Sequence, residues 1–146
     1  MSTRLSEIEA NCKKLGIPFT LQRRAVAESL FLAKDHPTAD EVFARVSIEN
    51  PGIARATVFR TLETFVEHGM ARRIAHPGSV ARYDGKVTRH HHLVCDGCGM
   101  IRDLEDNALD AIPLPDVTAR GFQVADFSVN LRGLCATCSL TDPKTN

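Results

Sequence analysis

Residues 84–103, DGKVTRHHHLVCDGCGMIRD, divide the chain. They place three carboxylates, three consecutive histidines and a CxxC pair within twenty positions. Two metal chemistries are implied. The thiols of Cys95 and Cys98 suit a soft, closed zinc site, whereas His90, His92, Asp84 and Asp103 offer the N and O donors of a harder one. On a strand, side chains alternate faces, so His90 and His92 share one face and His91 points away. Asp84 lies just upstream, and Asp103 falls on an expected neighbouring strand. Taken singly, each His or Asp here reads as a surface or capping residue. It is the clustering that argues for a ligand set.

A second knuckle, CATC, holds Cys135 and Cys138. Each CxxC turn aims two thiolates at one point, and two such turns complete a tetrahedron. The 36 residues between Cys98 and Cys135 exceed the spacing of a zinc ribbon, so the site would staple the strand after Tyr83 to the last strand. With no export signal in view, zinc ligation is expected before disulfides, and a redox dithiol pair is the alternative. Such a closed zinc site is structural. Cys12 is left over; it sits on the apolar side of an expected helix and reads as a small buried hydrophobe.

Upstream, the periodicity is helical. Leu5, Ile8, Cys12 and Leu15 predict a helix over 5–15, stopped by Gly16. Thr20 caps a second helix reaching Ala33, with Leu21, Val26, Leu30 and Phe31 as its apolar contacts and Arg23 and Arg24 on the other side. Thr38 and Glu41 form a capping box for a third helix to Glu49, which carries Val42, Phe43 and Val46 inward. A fourth, ARATVFRTLETFVEH over 54–68, buries Val58, Leu62, Phe65 and Val66. Arg55, Thr57, Phe59, Arg60 and Thr61 crowd its first turns and are expected to face DNA. Two extended runs, 71–75 and 80–83, follow around a turn at His76-Pro77-Gly78-Ser79. Helices followed by a hairpin are the plan of a winged helix-turn-helix, with the last helix as groove reader. Beyond Tyr83, strands are expected over 91–95, 100–104 and 124–131, with a short helix over 107–112 and a frayed polar end over 139–146. The fold class is therefore α+β, with a winged-helix domain over 1–83 and a small α/β domain over 84–146.

Composition narrows the function classes. The 146 residues are 43% apolar and 25% charged, ordinary for a globular chain and unlike a disordered one. No run approaches the roughly 20 apolar residues that a membrane span needs. The start, MSTRLSEIEANCKKLG, is too charged for a signal peptide, so a cytoplasmic location is expected. Net charge is zero but uneven: residues 1–83 hold twelve Lys and Arg against nine Asp and Glu, and the remainder hold six against nine. A basic half joined to an acidic half fits one DNA-facing and one metal-facing domain.

With these residues assembled, the chain resembles the ferric uptake regulator (Fur) superfamily of bacterial metal-dependent repressors. The resemblance rests on HPTADEVF at 36–43, RATVFRTL at 55–62, RYDG at 82–85, HHHLVCDGCG at 90–99 and GLCATC at 133–138. It implies a homodimer, formed through the C-terminal domain, that binds a palindromic double-stranded DNA operator. A structural Zn²⁺ would sit on Cys95, Cys98, Cys135 and Cys138. A regulatory Fe²⁺ or Mn²⁺ would be held between the domains. In the peroxide-sensing (PerR) branch the regulatory ligands are three histidines and two aspartates. They fall here on His36, Asp84, His90, His92 and Asp103. Nothing local marks His36 as a ligand; the resemblance alone promotes it. The same branch makes His36 and His90 the oxidation-sensitive pair.

Iron-sensing members typically carry Glu where Asp103 stands and often where Asp84 stands, and zinc-sensing members usually bring a cysteine into the regulatory site, so the paired aspartates favour a peroxide sensor over a plain iron- or manganese-responsive repressor. Three departures accompany the match: Ala54 for a capping Ser, Phe59 for Tyr, and Phe127 for an auxiliary-site His; in addition, Arg60 is common in Fur-type readers. Phe127 removes the reason to expect a third metal site. Arg60 is expected to read guanine and Phe59 to pack on a thymine methyl. Two other classes compete: a metal-dependent hydrolase, which lacks a substrate pocket and a separate base, and a zinc-stabilised adaptor indifferent to Fe²⁺ or Mn²⁺. The expectation is of a regulator, not an enzyme.

Overall fold

The computed structural model describes residues 3–75 and 79–141. They form two compact units whose boundary falls between Val87 and Thr88.

The first unit begins with four helices: α1 (Thr3–Lys14), α2 (Leu21–Phe31), α3 (Ala39–Glu49) and α4 (Arg55–Glu67). Local chemistry sets their ends. Thr20 accepts from the Arg23 N–H at 3.2 Å and opens α2. At α3 the capping box closes both ways: the Thr38 N–H donates to Glu41 Oε2 at 2.8 Å, and the Glu41 N–H donates to Thr38 Oγ1 at 3.1 Å. At the end of α4, Gly69 adopts φ +69°, and the Met70 N–H returns to Phe65 O at 2.8 Å. That left-handed stop strains any residue with a Cβ, which is why glycine stands there. Gly16 closes α1 the same way at φ +70°.

Strands β1 (Arg72–Ile74) and β2 (Arg82–Asp84) pair antiparallel, with Arg72 opposite Asp84 and Arg73 opposite Tyr83. Most of the expected turn, residues 76–78, lies outside the described residues. A bridge between Thr38 and Arg82 fastens this wing to the start of α3. Asp84, the first residue of the expected 84–146 domain, thus belongs by its strand pairing to the first unit.

Leu5, Ile8, Val26, Leu30, Val42, Val58, Leu62 and Phe65 are all buried together with Tyr83. Phe31, Phe43 and Val66 are partly buried against them. Leu21 departs from expectation: it is 83% exposed. It precedes Leu30 by nine residues, about two and a half helical turns, and so sits on the opposite side of α2.

The second unit is a three-stranded sheet with order β4–β3–β5. Strand β3 (His91–Cys95) runs antiparallel to β4 (Ile101–Leu104) and parallel to β5 (Asn130–Gly133). Helix α5 (Asn107–Asp110) is capped by Asp106, and a 3-10 turn covers Thr118–Arg120. The strand expected over 124–131 is displaced to Asn130–Gly133. Alternation reports which side of a segment is apolar, whereas a ladder needs a partner, and β3 accepts β5 only along His92–Cys95. The end expected to fray instead begins as a helix, α6 (Ala136–Thr141); residues 142–146 lie outside the described set.

Candidate metal centres and reading helix

The four-cysteine cluster is built by two turns. Cys95 ends β3, and the turn that follows brings Cys98 back beneath it, closed by the Gly99 N–H on Cys95 O at 2.9 Å. Cys135 precedes α6 and Cys138 lies in its first turn, so helical spacing puts both thiols on one side. The parallel pairing of Cys95 with Gly133 brings the two turns together. One sulfur from each of the four residues lies within 4.8 Å of the others. Cys98 Sγ and Cys135 Sγ are 3.9 Å apart. Zn–S bonds of about 2.3 Å demand tetrahedral edges of about 3.8 Å. The donor set fits zinc.

The Cys135 N–H donates to Cys95 Sγ at 3.3 Å. That amide, with those of Cys98 and Gly97, pulls the Cys95 thiol down to about 6, toward the thiolate a metal needs. The neighbouring thiols push Cys138 up to about 12; four sulfurs this close cannot all ionise without a cation among them. Sequence reading missed Gly97. A Cβ there would stand 2.8 Å from Cys138 Sγ, so only glycine lets the second knuckle approach.

The expected harder site divides between the units. In the first, His36 Nε2 stands 3.4 Å from Asp84 Oδ2, and both side chains are buried. The Tyr83 N–H donates to Pro37 O at 2.9 Å, and Arg82 donates to His36 O at 2.9 Å, so β2 holds the loop that carries the histidine. Asp84 Oδ1 accepts the Lys86 N–H at 2.9 Å, which fixes the carboxylate with Oδ2 toward His36. In the second, His92 lies opposite Asp103 across β3 and β4. His90 Nε2 is 3.4 Å and His92 Nε2 3.7 Å from Asp103 Oδ1, and the two rings meet edge-on at 4.7 Å. His90 Nδ1 donates to Thr88 O at 2.7 Å, which orients the ring with Nε2 toward Asp103. Atoms sharing one ion at about 2.1 Å lie roughly 3.0–3.5 Å apart, a spacing that His36–Asp84 and His90–Asp103 meet and His92–Asp103 slightly exceeds.

His91 serves another purpose. Its Nδ1 accepts the Val129 N–H at 3.0 Å and its Nε2 donates to Asp110 Oδ1 at 2.9 Å. The ring lies 6.1 Å from that of Phe127, which the Arg89 guanidinium covers at 4.8 Å. Cys12 is fully buried, and burial pushes its thiol up, away from reactivity.

On α4, Arg55, Phe59 and Arg60 are exposed and Thr57 is half-buried. Arg55 pairs with Asp40 at the start of α3. Thr61 does not reach the surface: it is 3% exposed and its hydroxyl donates to Thr57 O at 2.7 Å. Leu62 and Phe65 set the buried stripe, and Thr61 falls beside it. Tyr83 donates to Glu63 of α4 at 2.6 Å; burial and this carboxylate push its phenol up to about 12.

The model of the ferric uptake regulator family matches residues 14–132. The peroxide operon regulator of Bacillus subtilis is 30% identical over 135 residues, covering 92% of this chain and 93% of that protein. The peroxide-responsive repressor PerR of Staphylococcus epidermidis is 31% identical over 134 residues, covering 92% and 89%. Among solved structures, a zinc-bound manganese uptake regulator superposes with a TM-score of 0.68 at 26% identity, covering 87% of this chain and 97% of that one.

Proposed function

Because this chain belongs to the ferric uptake regulator family, we propose that it is a metal-dependent transcriptional repressor that senses hydrogen peroxide by oxidation of its own histidine ligands. The observation that carries the reading is the donor chemistry. Both half-sites pair histidine with a short aspartate, His36 with Asp84 and His90 and His92 with Asp103, and the cysteines of the second unit lie together in the zinc cluster. The relatives that bear the peroxide-regulator name, at 30% and 31% identity, support the same branch.

In this reading Cys95, Cys98, Cys135 and Cys138 keep a structural Zn²⁺. His36, Asp84, His90, His92 and Asp103 together hold one Fe²⁺ or Mn²⁺. Fe²⁺ held there would lend the electron that splits peroxide and recover it as the ring is oxidised, whereas Mn²⁺ in the same site would be largely inert to it. His36 and His90 take the consequence. One peroxide oxygen enters an imidazole C–H to give the 2-oxo ring, the other leaves as water, and the altered ring is a poor ligand. Loss of either histidine weakens metal binding and releases DNA. Metal and operator must strengthen each other's binding reciprocally.

On the DNA side, Arg55, Thr57, Phe59 and Arg60 form the reading face, and Thr61 holds its backbone in place from beneath. A palindromic operator requires two copies. The second unit supports a homodimer: Leu93, Leu114, Phe122, Val124, Leu131 and Leu134 are exposed on the single chain. Among the described residues no helix is long and apolar enough to cross a membrane, and with DNA as partner the cytoplasm is the proposed location. The role is regulatory rather than enzymatic, since the oxidised residues are consumed.

The test is peptide-resolved mass spectrometry of protein loaded anaerobically with Fe²⁺ or Mn²⁺, before and after dilute peroxide. Oxygen added at His36 or His90 only in the iron form is expected. Unmodified histidines in both forms would leave a plain iron- or manganese-responsive repressor, and oxidised cysteines with zinc release would make the knuckles the sensor.

A further inference from the structure

Within the first unit, one side chain joins the proposed ligands to the reading helix. Tyr83 is 2% exposed. Its N–H is bonded to Pro37 O, next to His36, and its chain continues directly into Asp84. Its hydroxyl ends on α4, donating to Glu63 Oε1 at 2.6 Å. Arg73, the register partner of Tyr83 on β1, pairs with the other oxygen of that carboxylate. Glu63 lies four residues, about one helical turn, after Phe59 and so on the same side of α4. A buried phenol needs an acceptor. An ionised one makes the bond shorter, stronger and more directional than a neutral one. The bond therefore resists sliding of α4 against β2 in a way that the surrounding apolar packing does not.

We propose that Tyr83 is a positioning residue: through Glu63 it transmits the placement of β2, set by metal at His36 and Asp84, to the orientation in which α4 meets DNA. The inference rests on the reading of the chain as a metal-dependent repressor and names the contact through which the two ligands are coupled.

Coupling is measured as the ratio of DNA affinities with and without metal. The experiment uses the full-length zinc-loaded protein, Mn²⁺ as the metal so that no ligand is oxidised, and a duplex selected from a randomised pool by the wild type in Mn²⁺. Tyr83→Phe and Glu63→Ala are each expected to lower the ratio about tenfold, the size of one charge-assisted hydrogen bond. The double variant should lose no more than either single one, because both remove the same bond. Glu63→Gln keeps a carbonyl acceptor without its charge and should restore part of the ratio. Zinc content and thermal midpoint report folding, and Glu63→Ala, at a half-exposed position, carries the test alone if Tyr83→Phe folds poorly. A folded Tyr83→Phe or Glu63→Ala with the wild-type ratio overturns the inference, as do additive losses in the double variant. A wild type that binds the selected duplex equally with and without Mn²⁺ overturns the repressor reading itself, and this inference with it.

Discussion

The two units are built on opposite principles. The first buries an aliphatic and aromatic core in which Ile8, Val26, Val42, Val58, Leu62 and Phe65 are all inaccessible to water. In the second, the buried residues among those described are His90, His91, His92 and Cys95. Burial of these apolar side chains is the main term that holds the first together. Among the described residues the second has a three-stranded sheet, short helical segments and clustered thiols. In the proposed reading, a bound metal ion and a second copy of the chain supply the rest of its folding energy. For the proposed repressor, this division would let the unit with the reading helix stay folded whatever the metal, while the unit with most of the candidate ligands responds to it.

Removing zinc is the largest way to break that comparison. Structural zinc sites contribute on the order of 10 kcal/mol. Exhaustive chelation, or Cys98→Ser, should therefore abolish the tertiary structure of the second unit while the four helices persist. Backbone NMR resolves the two outcomes: collapse of both units together would mean that the first does not stand alone.

The converse cut is Phe65→Ala, which should cost about 3–5 kcal/mol. It should lower the thermal midpoint of the first unit and leave bound zinc unchanged. Zinc lost in step with helicity would show the units to be one cooperative block.

Gly97→Ala sharpens the comparison further, since it adds a single methyl against Cys138. A disturbed metal surround typically costs 10–100-fold in affinity, so about that loss is expected in a zinc competition assay, with α1–α4 unaffected. Wild-type zinc affinity in this variant would mean that the second knuckle can move aside.

The smallest effect is one of pH. The Tyr83 phenol is raised to about 12 from its ordinary 10 by burial and by Glu63. A folded value above the unfolded one means that its contribution is whole below pH 10 and is lost as pH rises through about 12. Stability of the wild type should therefore fall more steeply between pH 10 and 12 than that of Tyr83→Phe. Parallel curves would show that the phenol does not titrate with folding.

What the sequence determined by itself is local. Hydrophobic periodicity, Thr20, the Thr38–Glu41 box and Gly69 specify helices through contacts at most a few residues apart, and those elements stand where the pattern puts them. The two-residue repeat of a strand likewise separates His90 and His92 from His91, and CxxC spacing alone gathers each pair of thiols.

What only the tertiary structure decided involves partners far apart in the chain. Leu21 lies outside because the stripe of Val26, Ala27 and Leu30 chose the other side of α2. Thr61 turns inward beside Leu62, and the last strand begins at Asn130, where its pairing with His92 of β3 starts. Gly97 matters because Cys138, 41 positions away, comes to rest against it. The bond from Tyr83 to Glu63 joins a strand to a helix twenty residues earlier. Periodicity encodes the geometry of neighbours, whereas such pairs exist only once packing has brought their elements together.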